Sequence, residues 1–302
     1  MDTADRLRAL LDVHDLHVAP IDELGDRARL QHHPDTARRK YELDEWFVSH
    51  LDSLDAPDVA RGDAVASMRA LARVDLVPSV YEWLADDASL EQTVEYLSLE
   101  GGPDGGFDDL VALCQVGIDG PAKLELAQNY WDEMGNGRLE RVHTNLHRKL
   151  ARTLGLRAIP RAEQPTEALV RSALGSLLAT NRWLQPEMVG ALGLIELQAG
   201  PRCRKVVRAL ERLGAGWDAI DFYAEHAEAD PRHGKDWVDN VVASLQDRGD
   251  WGERIVRGAR WRSAVNHAFF TAMHERFLRE DGDDAATRAR QADARDRGRA
   301  AA

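Results

Sequence analysis

Apolar residues recur at spacings of three and four along most of the chain, the period of helices that turn one face to a core. The pattern is clearest over 36–54, 58–74 and 121–150, and alternating β-branched runs are scarce. It predicts an all-α fold. Gly101 to Gly106, Gly155 with Pro160 and Pro165, Gly200-Pro201, and Gly214-Ala215-Gly216 are expected breaks between helices. Pro186 to Pro201 reads as one helix with proline at its start and Gly-Pro at its end. The two ends of the chain differ from the rest. Residues 1–35 are expected to form an arm or a short helix, in which Leu7, Leu10, Leu11 and Val13 could dock. Residues 281–302 are rich in Arg, Asp and Ala and carry no bulky apolar side chain, so a disordered tail or frayed helix is expected there. Residues 36–280 remain as the helical domain.

Composition narrows the function. With 302 residues and 44% hydrophobic content, the chain has enough material for a packed core. A net charge of −13 with scattered Lys and Arg argues against nucleic acid as a partner. The first residues lack the apolar stretch of a signal peptide, and no apolar run approaches the roughly 20 residues of a membrane span. A cytoplasmic protein without a membrane partner is expected. Cys114 and Cys203 form no Cys-x2-Cys pair and are expected to be buried free thiols.

Candidate chemistry is concentrated in three places. His226-x3-Asp230-x2-His233 puts Asp230 about 40° and His233 about 20° from His226 on an ideal helix, so all three could reach one metal. Pro231 works against a regular helix there, because it lacks a donor and crowds the carbonyl of Ala227. Glu196 is an isolated acid among Leu192, Leu194, Ile195 and Leu197, costly there unless paired or bound to metal. Glu133 precedes His143 by ten residues, about 80° apart on an ideal helix, and Gly135 and Gly137 would permit the distortion needed to align them. His147, one turn after His143, is an alternative ligand or a support for it.

The string Asn129-Tyr130-x-Asp132-Glu133-x-Gly135-x-Gly137-x5-His143, the helical Glu196 and the His226 to His233 cluster, in that order, resemble the haem-oxygenase-like diiron oxidases and oxygenases, the iron-containing redox enzymes. That resemblance implies a haem-oxygenase-like helical bundle, here with an N-terminal helical extension. It implies two Fe ions held by Glu133, His143, Glu196, His226, Asp230 and His233, with a Mn/Fe pair as a variant. It further implies O2 activation on a small organic substrate, such as an amine, amino acid or carboxylic acid, with an external reductant; a homodimer is compatible with it. Tyr223 is a candidate for electron or proton supply. Two other functions share these features. One is a non-redox enzyme on a thiaminase-like scaffold with Cys114 or Cys203 as nucleophile, and the other a helical metal-binding protein without catalysis.

Overall fold

The computed structural model describes residues 2–57, 59, 62–104 and 106–300, with the side chains of 102–104 and 283–300 outside the described set. Its helices in chain order are α1 (Thr3–Val18), α2 (Ile21–Leu24), α3 (Pro34–Ser53), α4 (Ala64–Arg73), α5 (Ser79–Asp86), α6 (Leu90–Asp104), α7 (Phe107–Cys114) and α8 (Gly120–Glu133). They continue as α9 (His143–Leu154), α10 (Thr166–Thr180), α11 (Gln185–Arg212), α12 (Trp217–Asp236), α13 (Ala243–Leu245) and α14 (Trp251–Ala300). No strand occurs among the described residues, so the fold is all-α. None of the helices is long and apolar enough to cross a membrane. The final helix carries its backbone to Ala300, while most side chains of 281–302 lie outside the described residues.

Helix α11 is the axis of the bundle, packed along α12 and α14 and flanked by α4 and α5. Glycine permits the closest of these approaches. A Cβ on Gly190 would stand 1.8 Å from the carbonyl oxygen of Ile255, and one on Gly258 would stand 1.9 Å from that of Glu187. Two apolar clusters lie along α11. One gathers Leu7, Leu10 and Leu11 of α1 with α3, α4, α8, α10 and the first half of α11. The other joins α5, α6 and the aromatic face of α14 to the second half of α11. Burying a side chain of Leu or Phe size contributes roughly 1.5–3 kcal/mol, so both clusters anchor α11 firmly. Polar Glu196 falls between them.

Three expectations need correction. The apolar run over 121–150 is not one helix: α8 ends at Glu133, two short 3-10 turns span Gly135–Gly137 and Leu139–Arg141, and α9 begins at His143. Gly135, Asn136 and Gly137 all take positive φ, which ends a right-handed helix instead of bending it. Gly200-Pro201 is no break, since α11 runs through it to Arg212. Gly200 instead receives the ring of Pro231, whose Cδ would stand 3.0 Å from an added Cβ. Helix α12 likewise continues past Pro231 to Asp236. The carbonyl of Ala227, deprived of its helical donor by that proline, accepts from Arg204 Nη1 at 3.1 Å. Beyond Asp236 a π-helical turn, Trp237–Val242, drives the fully buried Trp237 into the core, where its indole donates to Val189 O at 3.1 Å.

Candidate metal centre

Four helices deliver the six residues singled out in the sequence. Glu133 closes α8 and His143 opens α9, so the intervening turn brings the two side chains together: Glu133 Oε2 lies 2.7 Å from His143 Nδ1. Glu196 stands mid-helix on α11, buried, not exposed near a C-terminus. His226, Asp230 and His233 follow one another on α12, and Gly234 lets that helix lie against the Glu196 backbone, with an added Cβ 2.8 Å from Glu196 O.

Two ligand-sized clusters result, Glu133 with His143 and His226, and Glu133 with Glu196 and His233, each with donor atoms within 4.8 Å of one another. Glu133 belongs to both. Asp230 sits beside the second, its Oδ1 3.9 Å from His233 Nδ1, which is itself 3.8 Å from Glu196 Oε2. The rings of His143 and His226 are 4.4 Å apart. His147 belongs to neither cluster; its Nε2 packs on Gly101, where a Cβ would come within 2.7 Å.

The hydrogen bonds around these residues aim them. His226 Nδ1 lies 2.7 Å from Phe222 O, an arrangement that makes Nδ1 the donor and leaves Nε2 as an electron-pair donor. His233 Nε2 lies 3.0 Å from Asp132 Oδ2, which leaves Nδ1 facing the acids; Arg232 in turn donates to Asp132 at 2.8 Å. Asn129 Nδ2 donates to Glu196 Oε1 at 2.8 Å. Such outer partners fix the tautomer and orientation of metal ligands. Asp132 and Asn129 belong to the sequence string, but spacing alone gave them no role. Asp132 reads there as a solvated acid, and its side chain is mostly buried.

The donor set fits a cation and is poorly served without one. His143 Nδ1, Asp230 Oδ2 and His233 Nδ1 are buried without a hydrogen-bond partner, since even the close Glu133 oxygen is misaligned for one. Burial pushes the Glu196 carboxyl up to about 8, with the Glu133 charge adding to it. Burial raises Asp230 as well, reinforced by Glu196. For Glu133 burial works upward, but His143 outweighs it and the carboxyl is held low. His143 is the reciprocal case: burial works downward and Glu133 lifts it above its ordinary value. His226 is pushed down to about 4 by burial and by neighbouring His143. Three crowded carboxyls facing three imidazoles form a hard and borderline donor set suited to first-row metals.

A cavity of about 110 Å³ opens on Glu133, Glu196, His226 and Asp230 and runs between α11, α12 and α14. Tyr223 lines it, its hydroxyl 3.5 Å from Glu100 Oε2. Cys203 is also in its wall, whereas Cys114 is buried in the apolar core and its thiol is pushed up to about 12, leaving almost no thiolate for nucleophilic work.

The family model of iron-containing redox enzymes matches residues 94–267, a span that holds all six of these residues and most of the helices around them. The chain belongs to that family. No curated protein matches it.

Proposed function

We propose that the chain is a non-haem diiron oxidase or oxygenase that uses O2 and an external reductant on a small organic substrate. Glu133, common to both ligand clusters, is the observation that carries this reading. In it Glu133, His143 and His226 would hold one metal, and Glu133, Glu196 and His233, with Asp230 beside them, would hold the other. A Mn/Fe pair would use the same donors. Bound iron supplies the electrons and the open coordination positions at which O2 is reduced. The protein residues do the rest. Phe222 O and Asp132 hold the two imidazoles in the required tautomers, and Asn129 holds Glu196 in place. The three carboxylates offset most of the charge of two divalent ions. Six residues would leave positions open on two six-coordinate metals, and the cavity reaches Glu133, Glu196, His226 and Asp230. Apolar Ile195 and Phe222 in its wall keep bulk water from the reacting atoms.

Anaerobic titration with Fe(II) tests the proposal. Two irons per wild-type chain are expected, with oxidation on admitting O2. Glu133→Gln should lose both irons, while His226→Ala and Glu196→Ala should each lose one first. A wild-type stoichiometry of one or none would overturn the dinuclear reading.

A further inference from the structure

Two cavities meet at His147, a histidine that the ligand clusters do not use. The inner one, about 110 Å³, reaches Glu133, Glu196, His226 and Asp230, and every residue lining it is buried or partly buried. Nothing in its wall is exposed. The outer one, about 920 Å³, lies between α1, α6, α7, α9 and α10 and opens to solvent past the exposed Asp109, Leu113 and Arg157. Among the described residues His147 alone lines both. It sits one turn after His143 on α9, and its Nε2 packs on Gly101 of α6, where a Cβ would come within 2.7 Å. The bare glycine lets the imidazole fill the gap between the two helices. On the inner side the His147 ring meets Phe222 edge-on with centroids 5.2 Å apart, and the Phe222 ring lies 4.4 Å from that of His226. Two side chains, His147 and Phe222, thus stand between the outer cavity and a candidate ligand.

A reacting centre sealed from water needs a path for what it consumes. We infer that the outer cavity is the vestibule through which small molecules reach the candidate metal centre, and that His147 sets the size of what passes. Swinging its imidazole off Gly101 into the outer cavity joins the two spaces without moving a helix, and the outer volume is ample for the ring. Apolar Leu110, Leu113 and Leu156 line the vestibule, and Asp15 and Arg161 in its wall pair with each other at 2.7 Å. Such walls suit small organic molecules of low charge, and O2. As a route for substrate and O2 the assignment rests on the iron reading proposed above; as a route into the inner cavity it is independent of metal.

Two thiols read the route out. Cys203 lines the inner cavity, whereas Cys114 lines neither, so their reactivities separate access from general opening of the fold. The full-length chain in EDTA is treated with methyl methanethiosulfonate or its benzyl analogue, and each cysteine is followed by peptide mass spectrometry. Corrected for their rates with a model thiol, the methyl reagent should modify Cys203 at least ten-fold faster than the benzyl one. His147→Ala should raise the benzyl rate ten-fold or more. Ala151→Trp, one turn further along α9 in the wall of the outer cavity, should slow both reagents ten-fold, alone and combined with His147→Ala. Circular dichroism checks its fold, and Ser172→Trp on the α10 side of the same cavity replaces it if it does not fold. Rates at Cys203 that ignore the variants, no reaction there even in His147→Ala, or a gain in His147→Ala that the tryptophan does not suppress would overturn the assignment. So would an equal gain at Cys114, since the fold would then be opening as a whole. Because iron is absent throughout, failure here leaves the iron stoichiometry standing, and a failed stoichiometry leaves the route standing.

Discussion

His14 and His233 are both imidazoles buried against carboxylates, yet their surroundings are built in opposite ways. His14 Nδ1 meets Ser176 Oγ at 2.8 Å and Nε2 meets Asp44 Oδ1 at 2.7 Å. The other oxygen of Asp44 accepts from Lys40 at 2.6 Å, and Lys40 also donates to Asn181 at 3.0 Å. Charge is balanced there and each of these groups has a partner. Around His233 the carboxyls of Glu133, Glu196 and Asp230 converge, none of them in an ion pair with a Lys or Arg among the described residues; Arg232 reaches His233 Nε2 at 3.2 Å and Asp132 at 2.8 Å, and one nitrogen of His233 and one oxygen of Asp230 have no hydrogen bond. A closed network of the first kind locks α1, α3 and α10 together. An open one of the second kind costs the fold stability unless a cation completes it. The contrast separates a structural histidine from a candidate metal ligand without reference to spacing.

The largest expected effect lies in the closed network. Asp44→Ala leaves a buried Lys40 and His14 without their acceptor and should destabilise the fold by about 3–5 kcal/mol, measured by urea unfolding. A loss below about 1 kcal/mol would show that the network carries little of the docking of α1 on α10. Asp132→Asn acts on the open cluster and should affect metal more than fold. It removes the carboxylate charge on the acceptor that orients His233 and should weaken iron binding by about 10–100-fold. Stability in EDTA should stay within about 0.5 kcal/mol, because its other partner, Arg232, is largely exposed. An affinity equal to wild type would exclude Asp132 from orienting a ligand.

Sequence made one part of this contrast legible and concealed the other. The all-α fold followed from helical periodicity, and the order of acids and histidines from Glu133 to His233 is legible because those residues cluster locally or stand alone in apolar runs. Local signals misled at Gly200-Pro201, where dense packing of α11 against α12 and α14 overrides a breaker pair and uses the glycine to admit Pro231. They also misled at Gly135 to Gly137, where positive φ at three successive residues makes a turn that no helical angle describes. Asp44 and His14 lie 30 residues apart on different helices, so only tertiary structure brings that pair to one place.

The smallest effect is the pH dependence that the buried acids of the open cluster impose on the metal-free fold. Glu196 rises from about 4.5 to about 8 on folding in the metal-free chain, first through burial and then through Glu133. A carboxyl raised in this way contributes full stability below its unfolded value, and that contribution is lost as pH climbs toward 8. His14 moves the other way: burial outweighs Asp44 and lowers it from 6.5, so its contribution is full above 6.5 and is lost as pH falls below it. Between about 4.5 and 6.5 the two contributions oppose each other, so urea unfolding in EDTA should show its decline chiefly as pH rises from 6.5 toward 8. Glu196→Gln keeps the Oε1 that Asn129 needs while removing the charge, so it should flatten the alkaline decline and stabilise the metal-free fold by about 1–3 kcal/mol at pH 9. Below pH 6.5 the variant should lose stability more steeply on acidification, because His14 and His226, both lowered first by burial, are no longer opposed by Glu196. An alkaline limb that persists in the double variant Glu196→Gln, Asp230→Asn would mean that the open cluster is not the seat of the strain, and with it the contrast between the two histidines would fail.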